Sequence, residues 1–119
     1  MHEVGHTLGL RHNFKASTIF TPEQLKSKEF TEKNGVTGSV MDYNPVNLSA
    51  DKNANGKYFQ TMLGYYDYWA IEYAYAEQPR FSKITEKDFL EKIASKSTEP
   101  LLAYGTDEDA GGRSIDPYI

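Results

Sequence analysis

The sequence predicts a mainly α-helical chain with three or four helices joined by long irregular segments. Two capping-box patterns, Thr21 to Gln24 and Thr85 to Asp88, mark helix starts. Apolar and aromatic residues recur at three- and four-residue steps between positions 59 and 74, which is the spacing of one face of an amphipathic helix. Because 119 residues suffice for only one domain, we expect a single domain or subdomain over 1–119.

Residues 1–13 contain all three histidines of the chain, and the first predicted element, a short helix, lies at the start of this segment. His2 and His6 are four residues apart, so they lie one turn apart on the same helix face. Two imidazole nitrogens placed in this way reach one zinc ion at about 2.0–2.1 Å. Glu3 lies about 100° round the helix from His2, beside the metal rather than on it. This position suits a general base for the attacking water.

The third histidine, His12, requires a turn in the chain. On a continued helix it would lie about 240° round from His6, on the wrong face. Gly9 lies between them and adopts a positive φ without a steric penalty. We therefore expect the helix to end near Leu8 or Gly9 and the turn to return His12 to the ion. Three neutral imidazoles leave a fourth position for water, which is the pattern of a catalytic zinc site.

The later elements follow from caps, breakers and apolar spacing. Pro22 at the first helical position, after Thr21, predicts a helix to about Lys28. The aromatic residues of the next long helix are expected to be core, with its end before Pro79. In chain order we predict short helices over 21–34, a turn over 39–43, a long loop over 44–57, an amphipathic helix over 59–77, a helix over 85–95 and an extended, acidic tail over 100–119.

Two features of the last elements concern packing and charge. The helix over 85–95 is expected to turn four apolar residues inward: Phe89, Leu90, Ile93 and Ala94. In the tail, Asp107, Glu108 and Asp109 precede two glycines. Their spacing does not fit an EF-hand calcium loop, so a solvated acidic loop is favoured over a calcium site.

Composition excludes several functional classes. No run of about 18 apolar residues exists, so we expect no membrane span. We expect no targeting signal in this chain, because its first residues lack a charged region followed by an apolar stretch. The net charge of −4 argues against nucleic-acid binding, which needs a basic face. The absence of cysteine excludes disulfides and thiolate zinc sites.

The motif His-Glu-x-x-His-x-x-Gly-x-x-His, with the later run Ser39-Val40-Met41-Asp42-Tyr43, resembles the metzincin clan of zinc endopeptidases. The resemblance implies that Met41 forms an apolar floor under the three imidazoles. It also implies that Tyr43 steadies the oxyanion, although packing is an equally open role for this tyrosine. The stretch Trp69 to Tyr73 adds a similarity to large secreted zinc-dependent Met-zincin proteases of Gram-negative bacteria.

The resemblance has implications for the whole protein. It implies that the chain is the C-terminal subdomain of an α+β catalytic domain, whose upstream half carries a sheet and the substrate-binding edge strand. The expected cofactor is Zn²⁺, the expected substrate is a peptide or protein, and the parent is expected to be secreted, periplasmic or at the cell surface. Two alternatives stay open: a non-catalytic zinc-binding or interaction module that keeps the scaffold, and a zinc hydrolase that acts on another amide or ester.

Overall fold

The structure, a computed structural model, describes residues 1–110 and is helical over that range, with no β-strand. The predicted mainly α fold is therefore confirmed. The α-helices are α1 (His2–Thr7), α2 (Pro22–Lys26), α3 (Lys28–Asn34), α4 (Tyr65–Tyr75), α5 (Glu86–Ala94) and α6 (Asp107–Ala110). Short 3-10 helices span Ala16–Ile19, Ser95–Thr98 and Pro100–Leu102. The predicted tail over 111–119 lies outside the described residues.

The segment predicted as short helices over 21–34 forms two helices with separate caps. Thr21 and Gln24 form the predicted capping box, in which the Gln24 amide nitrogen donates to Thr21 Oγ1 at 3.2 Å and the Thr21 amide donates to Gln24 Oε1 at 2.9 Å. Ser27 then interrupts the helix with an extended ψ of 123° and its side chain caps α3. Gly35 ends α3 with a φ of +77°.

Helix α4 is shorter than the predicted 59–77 helix. The side chain of Gln60 accepts hydrogen bonds from the amides of Val36 and Thr37 at 2.7 and 3.3 Å, so this part of the chain lies against residues 36–37 as a non-helical segment. The helix can begin only after Gly64, whose amide donates to Asp67 Oδ2 at 2.8 Å. The apolar spacing predicts a helix from residue 59, but hydrogen bonds between the Gln60 side chain and residues 36–37 hold residues before Gly64 in a non-helical conformation.

The aromatic residues of this region form less of the core than predicted. Within α4, Tyr66, Asp67 and Ala70 are buried. Phe59 is 61% exposed and Tyr73 is 45% exposed, so the prediction that the whole series faces the core is wrong for these residues. Tyr66 and Ala70 lie on the buried side of α4, whereas Phe59 precedes this helix and Tyr73 lies toward its exposed side.

Helix α5 forms one of the two hydrogen bonds of the predicted capping box, and of its four predicted inward residues Ile93 is buried while Phe89, Leu90 and Ala94 are half-buried. Thr85 Oγ1 accepts from the Asp88 amide at 3.1 Å, and Ile93 is buried on the inward face. The Trp69 indole donates to the Ile93 carbonyl at 2.9 Å and so joins α4 to α5. The tail predicted as extended over 100–119 begins instead with the 3-10 helix Pro100–Leu102, since proline is well suited to a first helical position.

The core is small and partly polar. Met41 and Val36 are the largest wholly buried apolar side chains, and Asn13, Ser39 and Asp67 are buried polar ones with hydrogen bonds. These residues lie where the turn after α1, the 39–43 turn and the start of α4 meet. None of the helices in residues 1–110 has the length and apolar character that a membrane crossing requires.

Candidate metal centre

The three histidines come together on one side of the molecule. A ligand nitrogen of each imidazole lies within 4.8 Å of those of the other two, which is close enough for the three to share one ion. The ring centroids of His2 and His6 are 4.8 Å apart, as are those of His6 and His12. The structure thus brings together residues separated by a helix and a turn.

The turn that returns His12 to the cluster has the backbone that the sequence requires. Helix α1 ends at Thr7, and Gly9 has a φ of +91°. The Leu10 amide donates to the Gly5 carbonyl at 3.0 Å, and the Leu10 carbonyl accepts from His6 Nδ1 at 2.9 Å. The reversal is therefore closed by bonds on both sides of Leu10.

Each histidine is oriented through its Nδ1 atom. His2 Nδ1 donates to the Val40 carbonyl at 2.6 Å, and His6 Nδ1 donates to Leu10 as described above. His12 Nδ1 donates to both carboxylate oxygens of Asp107, at 3.0 and 3.1 Å. Since Nδ1 carries the proton in each ring, the Nε2 lone pairs are left for a metal.

The Nε2 atoms provide a test of whether a metal fits. Within residues 1–110, the Nε2 atoms of His2 and His12 are buried and have no hydrogen-bond partner. A buried polar atom without a partner costs about 1–3 kcal/mol, so such atoms in a protein usually have a partner that protein atoms do not supply. Three neutral imidazole nitrogens are a donor set that zinc favours, and the residues present therefore fit a zinc ion.

Met41 lies beneath α1 and is wholly buried. A Cβ at Gly5 would overlap with the sulfur of Met41, so the helix approaches the 39–43 turn this closely only because residue 5 is glycine. The Met41 carbonyl accepts from the Asn13 amide at 3.0 Å. Met41 thus packs against α1 and bonds to the residue that follows His12.

Asp67 holds the 39–43 turn in place. Its Oδ1 accepts from Ser39 Oγ at 2.6 Å, and its Oδ2 accepts from the Val40 amide at 2.9 Å as well as from Gly64. Because the Val40 carbonyl orients His2, the carboxylate of Asp67 supports a metal-site histidine through one intervening residue. The sequence gives no sign of this role, because Asp67 lies in a stretch whose apolar spacing indicates only a packing helix.

The two residues predicted to act in catalysis, Glu3 and Tyr43, are both exposed. Glu3 follows His2 on α1 and is exposed. Tyr43 is 66% exposed, and its ring lies against the rings of His2 and His12, at centroid distances of 5.0 and 4.7 Å. The ring of Phe14, a residue without a predicted role, also stacks on the ring of His12, with the two centroids 5.1 Å apart.

Residues 103–108 form a segment that we call the strap, which crosses the outer side of His12. The wholly buried side chain of Asn13 joins the strap to the turn after α1. Asn13 Nδ2 donates to the Ala103 carbonyl at 3.0 Å, and Asn13 Oδ1 accepts from the Gly105 amide at 3.2 Å. The Phe14 amide donates to the Gly105 carbonyl at 2.7 Å. The strap is thereby fixed to the residues that flank His12.

The acidic residues Asp107, Glu108 and Asp109 are exposed, as predicted, but they lie in the short helix α6 rather than in a loop, and two of them contact the chain around His12. Glu108 accepts two hydrogen bonds from the Arg11 guanidinium, at 2.8 and 2.9 Å, and Asp107 contacts His12. The hydrogen bond from His12 lowers the pKa of Asp107, and the bond to Glu108 raises the pKa of Arg11. The two carboxylates therefore contact neighbouring residues of the turn after α1, Glu108 at Arg11 and Asp107 at His12.

Three imidazoles come together on a short helix and the turn after it, and that helix packs on the buried Met41, which is an arrangement of the zinc metalloprotease type. A family model described as Met-zincin matches residues 1–119, and the chain therefore belongs to the Met-zincin family. The predicted resemblance to metzincins is thus confirmed, and with it the implication that the family binds zinc. Comparisons with curated proteins and with solved structures give no match.

Proposed function

We propose that this chain carries the zinc-binding and catalytic residues of an endopeptidase, with His2, His6 and His12 as the metal ligands. The observation that supports this proposal most strongly is the pair of buried Nε2 atoms without partners in the described part of the chain, at the centre of the three-histidine cluster. Zinc, when bound, supplies Lewis acidity and lowers the pKa of a bound water toward neutral.

Glu3 is the proposed general base. Its carboxylate is exposed at the start of α1, next to a proposed ligand and not one itself, so it is accessible to a water at the open side of the cluster. It would accept the proton of the attacking water and then pass that proton to the leaving amine. Within residues 1–110, no hydrogen bond or ion pair engages the Glu3 carboxylate.

Tyr43 is the proposed hydrogen-bond donor to the oxyanion. Its ring is positioned by contacts with His2 and His12, while two thirds of the residue remain exposed on the open side. This arrangement fixes the ring and leaves the hydroxyl group accessible to a substrate carbonyl. A peptide or protein substrate is proposed on the basis of the family, since metzincin-type domains are proteases.

The test is a Glu3→Gln variant of the full chain, measured for zinc stoichiometry and for cleavage of a fluorogenic peptide library. We expect zinc binding to be unchanged and cleavage to fall by at least about 100-fold, because general-base catalysis contributes roughly 10²- to 10⁴-fold. Glu29→Gln is the matched control, since Glu29 also lies exposed in the first turn of a short helix. It should leave both measurements unchanged.

Two outcomes would contradict the proposal. Full cleavage by the Glu3→Gln variant would exclude Glu3 as the general base. Tight zinc binding by the wild-type chain without cleavage of any peptide would favour the alternative, a non-catalytic zinc-binding module that keeps the scaffold.

A further inference from the structure

We infer that Asp107 is a positioning residue of the metal site: its carboxylate sets the tautomer and the ring orientation of His12, and the strap (residues 103–108) holds it there. This inference rests on the proposed metal-binding role of the histidines. It concerns a residue that lies 95 positions away from His12 in the sequence and belongs to no metal-binding motif.

The contact between the two side chains has the geometry of an orienting bond. His12 Nδ1 is 3.0 Å from Oδ1 and 3.1 Å from Oδ2 of Asp107, while the Nε2 atom on the opposite side of the ring is buried without a partner in residues 1–110. A carboxylate only accepts hydrogen bonds, so it selects the ring form with the proton on Nδ1. The lone pair of Nε2 then points toward His2 and His6.

Asp107 is itself held by neighbours other than His12. Thr106 Oγ1 donates to Asp107 Oδ2 at 3.3 Å, and the Arg11 guanidinium lies 3.9 Å from the same oxygen. Asn13 and Phe14 bind the strap just before it, through Ala103 and Gly105. The carboxylate is therefore placed by contacts that do not need a metal, which is what preorganisation of a ligand requires.

The charge of this partner distinguishes His12 from the other two histidines. His2 and His6 donate to neutral backbone carbonyls, whereas His12 donates to a carboxylate. A carboxylate partner raises the basicity of a ligating imidazole, and loss of such a partner typically costs about 10- to 100-fold in metal affinity. We therefore expect the zinc affinity of the whole site to depend on Asp107.

The first measurement is zinc affinity, by competition with a chelator, for the full chain and three variants. Asp107→Ala should weaken binding by about 10- to 100-fold at unchanged stoichiometry. Asp107→Asn keeps an acceptor oxygen without the charge, so it should recover part of that loss. Glu108→Ala is the matched control: it removes the bonds to Arg11 but none to His12, and it should change the affinity by no more than about twofold.

The second measurement is the tautomer of His12 in the zinc-free protein, read from its side-chain ¹⁵N chemical shifts. The wild-type chain should carry the proton on Nδ1, and Asp107→Ala should lose this preference. Amide exchange of Phe14, which donates to Gly105 in the strap, reports whether the strap stays docked in each variant. A loss of affinity with the strap still docked would separate positioning from a general loss of structure.

The outcomes separate this inference from the proposed function. If the wild-type chain binds zinc and Asp107→Ala binds it equally well, Asp107 does not position His12. A wild-type His12 with its proton on Nε2 would also overturn the inference, whether or not the variants fold. If the wild-type chain binds no zinc, the proposed function fails, while the tautomer measurement still tests the contact between Asp107 and His12.

Discussion

The two sides of the metal centre are supported in different ways. On one side, His2 and His6 donate to the carbonyls of Val40 and Leu10, so the main chain orients them. On the other side, His12 donates to the side chain of Asp107 in the strap. A main-chain acceptor is lost only if the backbone moves, whereas a side-chain acceptor is lost with a single substitution.

Helix α4 supports both sides through consecutive residues. Asp67 binds the 39–43 turn, whose Val40 orients His2. Tyr66 stacks on Tyr104 of the strap, with ring centroids 5.7 Å apart and an interplanar angle of 11°. The difference teaches that the first side depends on a buried carboxylate, Asp67, and the second on the buried amide of Asn13, an aromatic stack and a surface ion pair. The two sides should therefore respond to different perturbations.

The largest expected effect comes from breaking the first side at Asp67. Asp67→Ala leaves the donors of Ser39, Val40 and Gly64 without their acceptor in a buried region. Since each unsatisfied buried group costs about 1–3 kcal/mol, we expect the free energy of unfolding to fall by about 3 kcal/mol or more. Urea denaturation measures this change.

Asp42→Ala is the matched control for that variant. Asp42 accepts one bond, from the Ser17 amide at 2.9 Å, and is only partly buried. Asp42→Ala should therefore lower the free energy of unfolding by about 1 kcal/mol. Equal losses at Asp42 and Asp67 would show that the 39–43 turn does not depend on the three bonds to Asp67.

Local chemistry explains what the sequence could predict. The convergence of His2, His6 and His12 needs only a helical period and a left-handed residue at Gly9, and both are readable from thirteen consecutive residues. The capping box at Thr21 is likewise complete within four residues. Such features depend on neighbours in the chain, so a pattern in the sequence is sufficient to place them.

The supporting residues could not be predicted in the same way. Asp107 lies in an acidic run that has the composition of a solvated loop, and bonds from the distant residues Asn13 and Phe14 to the strap bring it to His12. Asp67 occupies a helical position that periodicity alone would assign to either face. The start of α4 was predicted too early because the Gln60 side chain, and not apolar spacing, decides the conformation of residues before Gly64.

A smaller effect is expected on the strap side, through the ionisation of Tyr66. Burial raises the pKa of Tyr66 from 10.0 to about 12, with the nearby Tyr104 and Asp67 as further causes. The unfolded chain therefore releases this proton at a lower pH than the folded chain does. The contribution of Tyr66 to the free energy of unfolding should be complete below about pH 10. It should fall between about pH 10 and 12, by about 1.4 kcal/mol for each pH unit.

Two tyrosine variants check this pH dependence by urea denaturation at several pH values. Tyr66→Phe keeps the ring that stacks on Tyr104 and removes the ionising hydroxyl, so this part of the decline should disappear. Tyr68→Phe is the control, because Tyr68 lies in the same helix and is 66% exposed. An unchanged decline in Tyr66→Phe would show that other groups destabilise the protein at high pH.

The smallest effect is expected at Gly9, where the two sides of the metal centre join. A Cβ at this position would have no atom within 4 Å, so a substitution there acts only through the φ of +91°. Gly9→Ala should lower the free energy of unfolding by about 1–2 kcal/mol, and Gly9→Asn should cost less because asparagine tolerates left-handed backbone. Zinc affinity should follow the same order, since strain in the turn is relieved by moving His12 away from His2 and His6. Equal stability and affinity in all three chains would show that the turn does not need a left-handed residue to bring His12 to the cluster.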